Sequence, residues 1–582
     1  MKTLIYNSSR IKLFLLALYI LATSLLPQTV QGQDNNFRFS LRNFFGQSPG
    51  TTDTIFVNEY VELGNMDQWA EEISAFYSNR DFTLLWINEQ GKLNRLGNEL
   101  REQLESVWKD GLPDQDDKLQ HIDNTLTGIK RLSSKNKSFP AMVSELDVFL
   151  TRAYFDYASA LSTGLIDPAK LDVIWTIHPE GPDLANHLEQ AAARGAIAES
   201  LEQLKPEHKQ YELLTQAYHE LMEADANGGW PLPGSQEANP DNDSEAFVLR
   251  LKKYLYATGD LSNGDSSYMQ SPAFDSELTE AVKKFQLRHG LLQDGIPGKN
   301  TLEAMNVPLT DRLNQIRLNL ERMRWLPDDM GSNHIIINIP NFSFELYRQG
   351  ELIQEMNVVV GENENYTPVL EDTLYTIIFN PTWNIPNSIA TEEIFPKMLK
   401  DSAFMEKNRY SVLRDSYVSE DTIDIHSFDW SEVSRDSFPY FIVQHPGELN
   451  SLGRIQFMLQ NQYSIYLHDT PANHLFDREQ RDFSHGCVRL EKPGELAMIL
   501  LQDQLPNDSI MKYMSVDEKK VIRLEEKIPV HFIYQTAWAN EDNMLHFRED
   551  IYGFDSVTLE HLQKRQPEIT ALKRSKKQRA AR

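Results

Sequence analysis

The apolar residues of this 582-residue chain change their period once, and that change divides the fold. From about 66 to 225 they recur at three- and four-residue spacing, as in Leu146, Phe149, Leu150, Ala153, Tyr154 and Tyr157, which lines one face of a helix. From His334 onward they come in short β-rich runs, 334–340, 342–347 and 356–360, broken by turn residues such as Arg348-Gln349-Gly350. The runs 375–379, 441–444 and 464–467 continue the pattern. The expected fold class is multidomain α+β, with helical domains first and a mainly β domain last.

Between these halves lies a polar Pro/Gly/Asn-rich linker at 227–244, then a small helical module. Within the module, Phe285-Gln286, Gly290-Leu291, Asp294-Gly295, Gly298 and Thr301 read as helix, glycine stop, tight turn and the start of another helix. The expected boundaries are 56–240 for the helical domain, 245–308 for the module and 309–330 for a connecting helix. The β domain follows at 331–505, with an insertion at about 386–440. A C-terminal extension, 506–563, is expected to pack on the helical or the β domain, and a basic tail, 564–582, closes the chain.

The first residues carry an address. Lys2, Arg10 and Lys12 precede an apolar stretch at 13–26, followed by Pro27 and the small-residue pattern Val30-Gln31-Gly32. That is the layout of a secretory signal, expected at 1–32, and it is shorter than the roughly twenty residues a spanning helix needs. The chain is therefore expected to be exported to the periplasm, or held at the inner membrane if the signal stays uncleaved. With 57 basic and 85 acidic residues the formal charge is −28, which disfavours nucleic acid as a partner. The tail reverses the sign, with eight Lys or Arg from Lys564 to Arg582 against Glu568, and reads as a solvated segment or a contact to an anionic surface.

Cys487 is the sole cysteine. An exported chain with a single thiol has no intrachain disulfide to make, so the sulfur reads as a reagent rather than a staple. A cysteine nucleophile needs a base or a stabilising charge beside it, since its unperturbed pKa is near 8.5. His468, at the end of a β run and followed by Asp469, is one candidate; His485, two residues before the thiol, is the other. Gly486 lets the backbone turn closely, so amides near 486 and 487 can face an oxyanion. A zinc site from His468, Asp469, His485 and Cys487 has the ligand types but no second cysteine and no familiar spacing, so no metal and no cofactor is expected.

Taken together, His468 and the string Ser484-His485-Gly486-Cys487 resemble the signature of the L,D-transpeptidase (YkuD-type) catalytic domain. Further stretches are similar to the large subgroup of that family, which has a helical scaffold and a peptidoglycan-binding module: 380–386 with 388–390, 453–457, 466–471, 547–553, 76–86 and 161–168. Position 489 is arginine where smaller relatives carry asparagine. The resemblance implies a β-sandwich-like catalytic domain and an acyl-enzyme reaction on peptidoglycan stem peptides. Cys487 would attack the carbonyl before the terminal D-alanine of a tetrapeptide, with His468 as proton acceptor and donor. Backbone groups of His485, Gly486 and Cys487 would form the oxyanion hole, and Ser484 and Asp469 would orient the imidazole. Arg489, Trp383, Asn384, Tyr466 and Arg454 would contact substrate, and the insertion would act as a lid.

A second stem's amine would then take the acyl group in a 3→3 crosslink, and carbapenems would acylate the same thiol. Water or a lipoprotein lysine as acceptor, giving a carboxypeptidase or an anchoring enzyme, uses the same nucleophile. An inactive wall-binding scaffold is the alternative of another class. The expected partners are stem peptides and other wall-synthesis proteins, and the expected state is a monomer.

Overall fold

The computed structural model describes residues 68–564 apart from 137, 235–244, 402, 432 and 435–437, together with the backbone of two short strands, Arg38–Phe39 and Val61–Glu62. The expected secretory signal at 1–32, most of the polar linker and the tail from 565 lie outside the described residues. The chain divides into two compact units, Met1–Lys92 with Thr125–Thr151, and Leu93–Asn124 with Arg152–Arg582.

The first unit is organised by one buried carboxylate. Asp147 accepts from the amides of Leu85, Trp86 and Ile87 at 2.9, 2.8 and 3.0 Å and from the Tyr77 hydroxyl at 2.6 Å. Three successive N–H groups of a non-helical turn thus find a partner inside the protein, where leaving them unpaired would cost about 1–3 kcal/mol each. Burial still pushes the Asp147 carboxyl up to about 6.

In the second unit the small module folds around Phe247, Leu251, Tyr254, Phe285, Leu302 and Met305. Its signature residues are spent on its own turn. The Gln286 amide nitrogen donates to Asp294 Oδ1, the Ile296 carbonyl and Thr301 Oγ1 at 2.8–3.1 Å, and its oxygen accepts from Gly295 N at 2.9 Å. Asp275 caps the helix Ser276–Arg288 by accepting from Leu278 N.

The connecting helix, Leu309–Met323, carries charged side chains into the interior. Glu321 accepts from the amides of Leu165 and Ile166 and pairs with Arg324, whose other nitrogen donates to the Asp110 carbonyl and the Tyr211 hydroxyl. Arg317 donates to the Gly111 carbonyl, Arg312 to the Ala304 carbonyl, and Arg322 to Asp555 and Thr558. One helix therefore ties the helical domain, the small module and the C-terminal extension together.

The β domain is a nine-stranded sheet. In order, the strands are Asp482–Ser484, Glu351–Gly361, Val488–Leu490, Leu467–His468, Ile455–Met458, Leu370–Phe379, Lys520–Ile533, His334–Asn338 and Ser343–Arg348. Because Ser343–Arg348 also pairs with Glu351–Gly361, the sheet closes on itself around Ile337, Val358, Ile377, Phe457, Leu467, Val488 and Phe532. The boundary expected at 505 cuts through this sheet. Lys520–Ile533 lies inside it, antiparallel to Leu370–Phe379 and parallel to His334–Asn338. A register shift between Arg523 and Ile528, over Glu525-Glu526-Lys527, breaks the alternation that would have marked it as a strand.

The insertion has a core of its own. Trp383–Asn384, Phe441–Gln444, Tyr410–Leu413 and Thr422–Ile423 form a four-stranded sheet, with Ile385, Phe395, Met398, Met405, Val412, Phe438 and Ile442 packed together. It is a subdomain rather than a loop, and its sheet begins and ends a few residues outside the expected 386–440.

Removing one side of the buried Glu321–Arg324 pair leaves an uncompensated guanidinium 1% exposed. Glu321→Ala is expected to destabilise the protein by about 3–5 kcal/mol, seen as a lower urea midpoint. A neutral effect would show that the pair adds nothing to the fold.

Candidate active site

The site is set by one parallel pairing. Leu467 lies opposite Val488 and His468 opposite Arg489. Side chains alternate along a strand, so with Leu467 and Val488 fully buried in the core, Tyr466, His468, Cys487 and Arg489 share the other face. The phenol and imidazole centroids are 5.7 Å apart. A thiol, an imidazole, a phenol and a guanidinium thus converge because two short strands run side by side.

The thiol enters from a tight turn. Ser484 Oγ donates to the Cys487 carbonyl at 2.6 Å and accepts from Gly486 N at 3.1 Å, closing residues 484–487 into a loop. Gly486 has φ +105°, and a Cβ there would press on Ile465. Only glycine takes that conformation without strain. The Gly486 carbonyl accepts from Thr367 Oγ1 at 2.8 Å.

His468 is buried, and its Nδ1 lies 2.5 Å from the Asp469 carbonyl. A carbonyl can only accept, so Nδ1 carries the hydrogen and Nε2 is left as the basic nitrogen. Burial, and then the Arg489 charge, push the imidazole down to about 3. Burial pushes the Cys487 thiol up to about 11, against the opposing pull of the Tyr466 amide and hydroxyl and of Arg489. The sulfur donates to the Ser464 carbonyl at 3.6 Å. At neutral pH the thiol and the imidazole are thus both held uncharged. The enclosing walls, which disfavour both charges, are the physical reason. Arg489, its Nε buried without a partner, is the charge that favours the thiolate.

The other residues singled out in the sequence take different positions. The Asp469 carboxylate accepts from the amides of Arg454 and Thr470 at 2.7 Å each, so it is the Asp469 carbonyl, not the carboxylate, that orients the imidazole. Ser484 holds the turn and makes no bond to the ring. Of the proposed oxyanion donors, Gly486 N is taken by Ser484, which leaves the amides of His485 and Cys487. The His485 ring reaches the insertion, with Nε2 3.1 Å from Glu393.

Arg454 reaches Asp517 at 2.6 Å and Asn380 at 3.3 Å, which makes it a tie to the extension rather than a substrate contact. Trp383 opens the insertion's sheet, and its side chain hydrogen-bonds the Tyr466 hydroxyl; Asn384 beside it is exposed. Sequence reasoning missed Ser464, Thr367 and Glu393, which carry no local signal.

Three family models match the chain: a scaffold domain at 71–217, a "putative peptidoglycan binding domain" at 244–305 and an L,D-transpeptidase catalytic domain at 332–506. A "putative L,D-transpeptidase" of Haemophilus influenzae is 32% identical over 326 residues, which is 52% of this chain and 65% of that protein. The chain thus spans a little under two thirds of that relative's length. An L,D-transpeptidase structure from Stackebrandtia nassauensis aligns at 15% identity over 49% of this chain and 90% of its own, with a TM-score of 0.19. One from Xylanimonas cellulosilytica aligns at 14% over 51% and 95%, with a TM-score of 0.17.

The raised thiol sets a pH signature. Alkylation of native Cys487 by iodoacetamide is expected to be slow at pH 8 and to rise about tenfold per pH unit until it levels off near pH 11, because only the thiolate reacts. A rate that levels off below pH 8 would show that the thiol is already ionised in the resting protein.

Proposed function

Residues 332–506 match the L,D-transpeptidase catalytic domain, and on that premise we propose that the chain crosslinks peptidoglycan stem peptides through a thioester on Cys487. The observation that carries this reading is the shared face of Tyr466, His468, Cys487 and Arg489 across one parallel strand pair. Cys487 gives up its proton to His468 Nε2, and its sulfur attacks the carbonyl that precedes the terminal D-alanine of a donor tetrapeptide. The tetrahedral oxyanion meets the amides of Cys487 and His485 and the field of Arg489. On collapse the C–N bond breaks, the proton returns from His468 to the leaving nitrogen, and D-alanine departs.

The second half runs in reverse. The side-chain amine of another stem attacks the thioester, a C–N bond forms, the C–S bond breaks and the acceptor's proton passes through His468 to the departing thiolate. A 3→3 crosslink results. At neutral pH His468 carries no proton and its Nε2 is free to take one, although transfer from the raised thiol to the lowered imidazole runs uphill in the resting site and must be offset by stabilisation of the oxyanion. The inserted subdomain, bonded to Tyr466 through Trp383, limits the water that would hydrolyse the thioester. The small helical module would hold the polymer near the site, and the secretory layout of the first 32 residues would deliver the enzyme to the periplasm, where that polymer lies.

Incubating the protein with purified disaccharide tetrapeptide, with mass spectrometry as the readout, tests the reading. Crosslinked dimer with release of D-alanine is expected, and none with Cys487→Ala. Tripeptide without dimer would make the protein a carboxypeptidase. Imipenem is expected to add its mass to the wild-type chain and not to Cys487→Ala; dimer formed by that variant would sink the thioester mechanism.

A further inference from the structure

The nucleophile turn is gripped from a part of the chain well beyond 506. Gly361 ends the long strand Glu351–Gly361, and the chain then bends through 362–367. Both ends of the nucleophile turn are fastened to that bend: Glu362 N donates to the Ser484 carbonyl at 2.8 Å, and Thr367 Oγ1 donates to the Gly486 carbonyl at 2.8 Å. The direction of the second bond is fixed. Thr367 Oγ1 already accepts from Gly361 N at 2.9 Å, so its hydrogen goes to Gly486.

The bend is itself closed by one phenol. Tyr552 Oη donates to the Gly361 carbonyl at 2.5 Å and accepts from Thr367 N at 3.3 Å, which joins the two ends of the bend through a single atom. Tyr552 is nearly buried and well anchored: its amide donates to the Tyr534 hydroxyl at 3.0 Å, and its ring packs with Tyr366, Tyr534 and Phe554. The chain of contacts runs Tyr552, Gly361 and Thr367, Gly486, Cys487.

Peptide geometry turns this support into chemistry. The bond between Gly486 and Cys487 is planar and trans, so its carbonyl and its N–H point in opposite directions. Holding the Gly486 carbonyl on Thr367 fixes the Cys487 N–H facing away from Thr367. Rotating that peptide, which Gly486 at φ +105° is free to do, would carry the amide out of line.

We propose that Tyr552 is a positioning residue for acyl transfer, acting through Thr367 to aim the Cys487 amide at the oxyanion. The inference rests on the transpeptidase reading above and adds a part of the machinery that lies outside the matched catalytic domain.

The test separates aim from stability by using two reactions of the same thiol in the full-length chain. Acylation by imipenem passes through an oxyanion; alkylation by iodoacetamide does not. Tyr552→Phe and Thr367→Val are expected to slow imipenem acylation at least about tenfold, the scale on which small misplacement of a transition-state donor is felt. Alkylation should stay at the wild-type rate, and Thr367→Ser, which keeps the hydroxyl, should acylate like wild type. Acylation of Tyr552→Phe at the wild-type rate would overturn the proposal, as would a parallel fall of both reactions. If Tyr552→Phe does not fold, as judged by circular dichroism, the comparison of Thr367→Val with Thr367→Ser decides the matter, equal acylation of the two refuting it. A wild-type chain that imipenem never acylates would instead fail the transpeptidase reading itself.

Discussion

The second unit depends on charges that have been taken out of water. Glu321, Arg322 and Arg324 are each within 2% of full burial, on a helix of ordinary length. Burying an ion costs several kcal/mol unless partners replace its hydration. Here the partners are distributed: amides at 165 and 166, a carbonyl at 110, a phenol at 211, and a carboxylate and hydroxyl at 555 and 558. No single neighbouring segment could satisfy all three ions. The helix is stable in its place only when the helical domain and the C-terminal extension are both folded against it, and so these ions specify an arrangement more than they add stability.

What could be read directly from the chain was local. The change of hydrophobic period separated helical from β regions, and His468 with Ser484-His485-Gly486-Cys487 marked a site whose residues meet because the strands carrying them are adjacent. The functions of particular atoms were not legible. Asp469 looked like an orienter for the imidazole by residue type, yet its carboxylate is consumed by two backbone amides, and the ring is oriented by a carbonyl that every residue possesses. Arg454 looked like a substrate contact by charge, yet Asp517, 63 positions away, holds it. Thr367 escaped notice, and Tyr552, though inside the stretch 547–553, gave no sign of its role, since their contacts span 119 and 191 positions with no periodicity to announce them.

The thiol shows how context overrides composition. A cysteine between glycine and valine, near two histidines, suggests an activated nucleophile. Enclosure works the other way, raising the thiol and lowering the imidazole, so that the site rests uncharged. Only Arg489 and the Tyr466 donors favour the anion. An uncharged resting site resists adventitious oxidation and alkylation, reactions that need the thiolate, while leaving Nε2 open to receive the proton when a substrate carbonyl arrives.

The strand Lys520–Ile533 has a consequence for how such a chain comes into being. It separates Leu370–Phe379 from His334–Asn338 in the closed sheet, and it is followed by the segment that carries Tyr552. A polypeptide emerging from its amino end has Cys487 available well before it has the strand that completes the sheet. Until residues 520–552 arrive, two strand edges stand unpaired and the bend at 361–367 lacks the Tyr552 hydroxyl. A chain that stopped before residue 520 would hold Cys487 in a sheet still open between Leu370–Phe379 and His334–Asn338, with no Tyr552 to close the bend at 361–367.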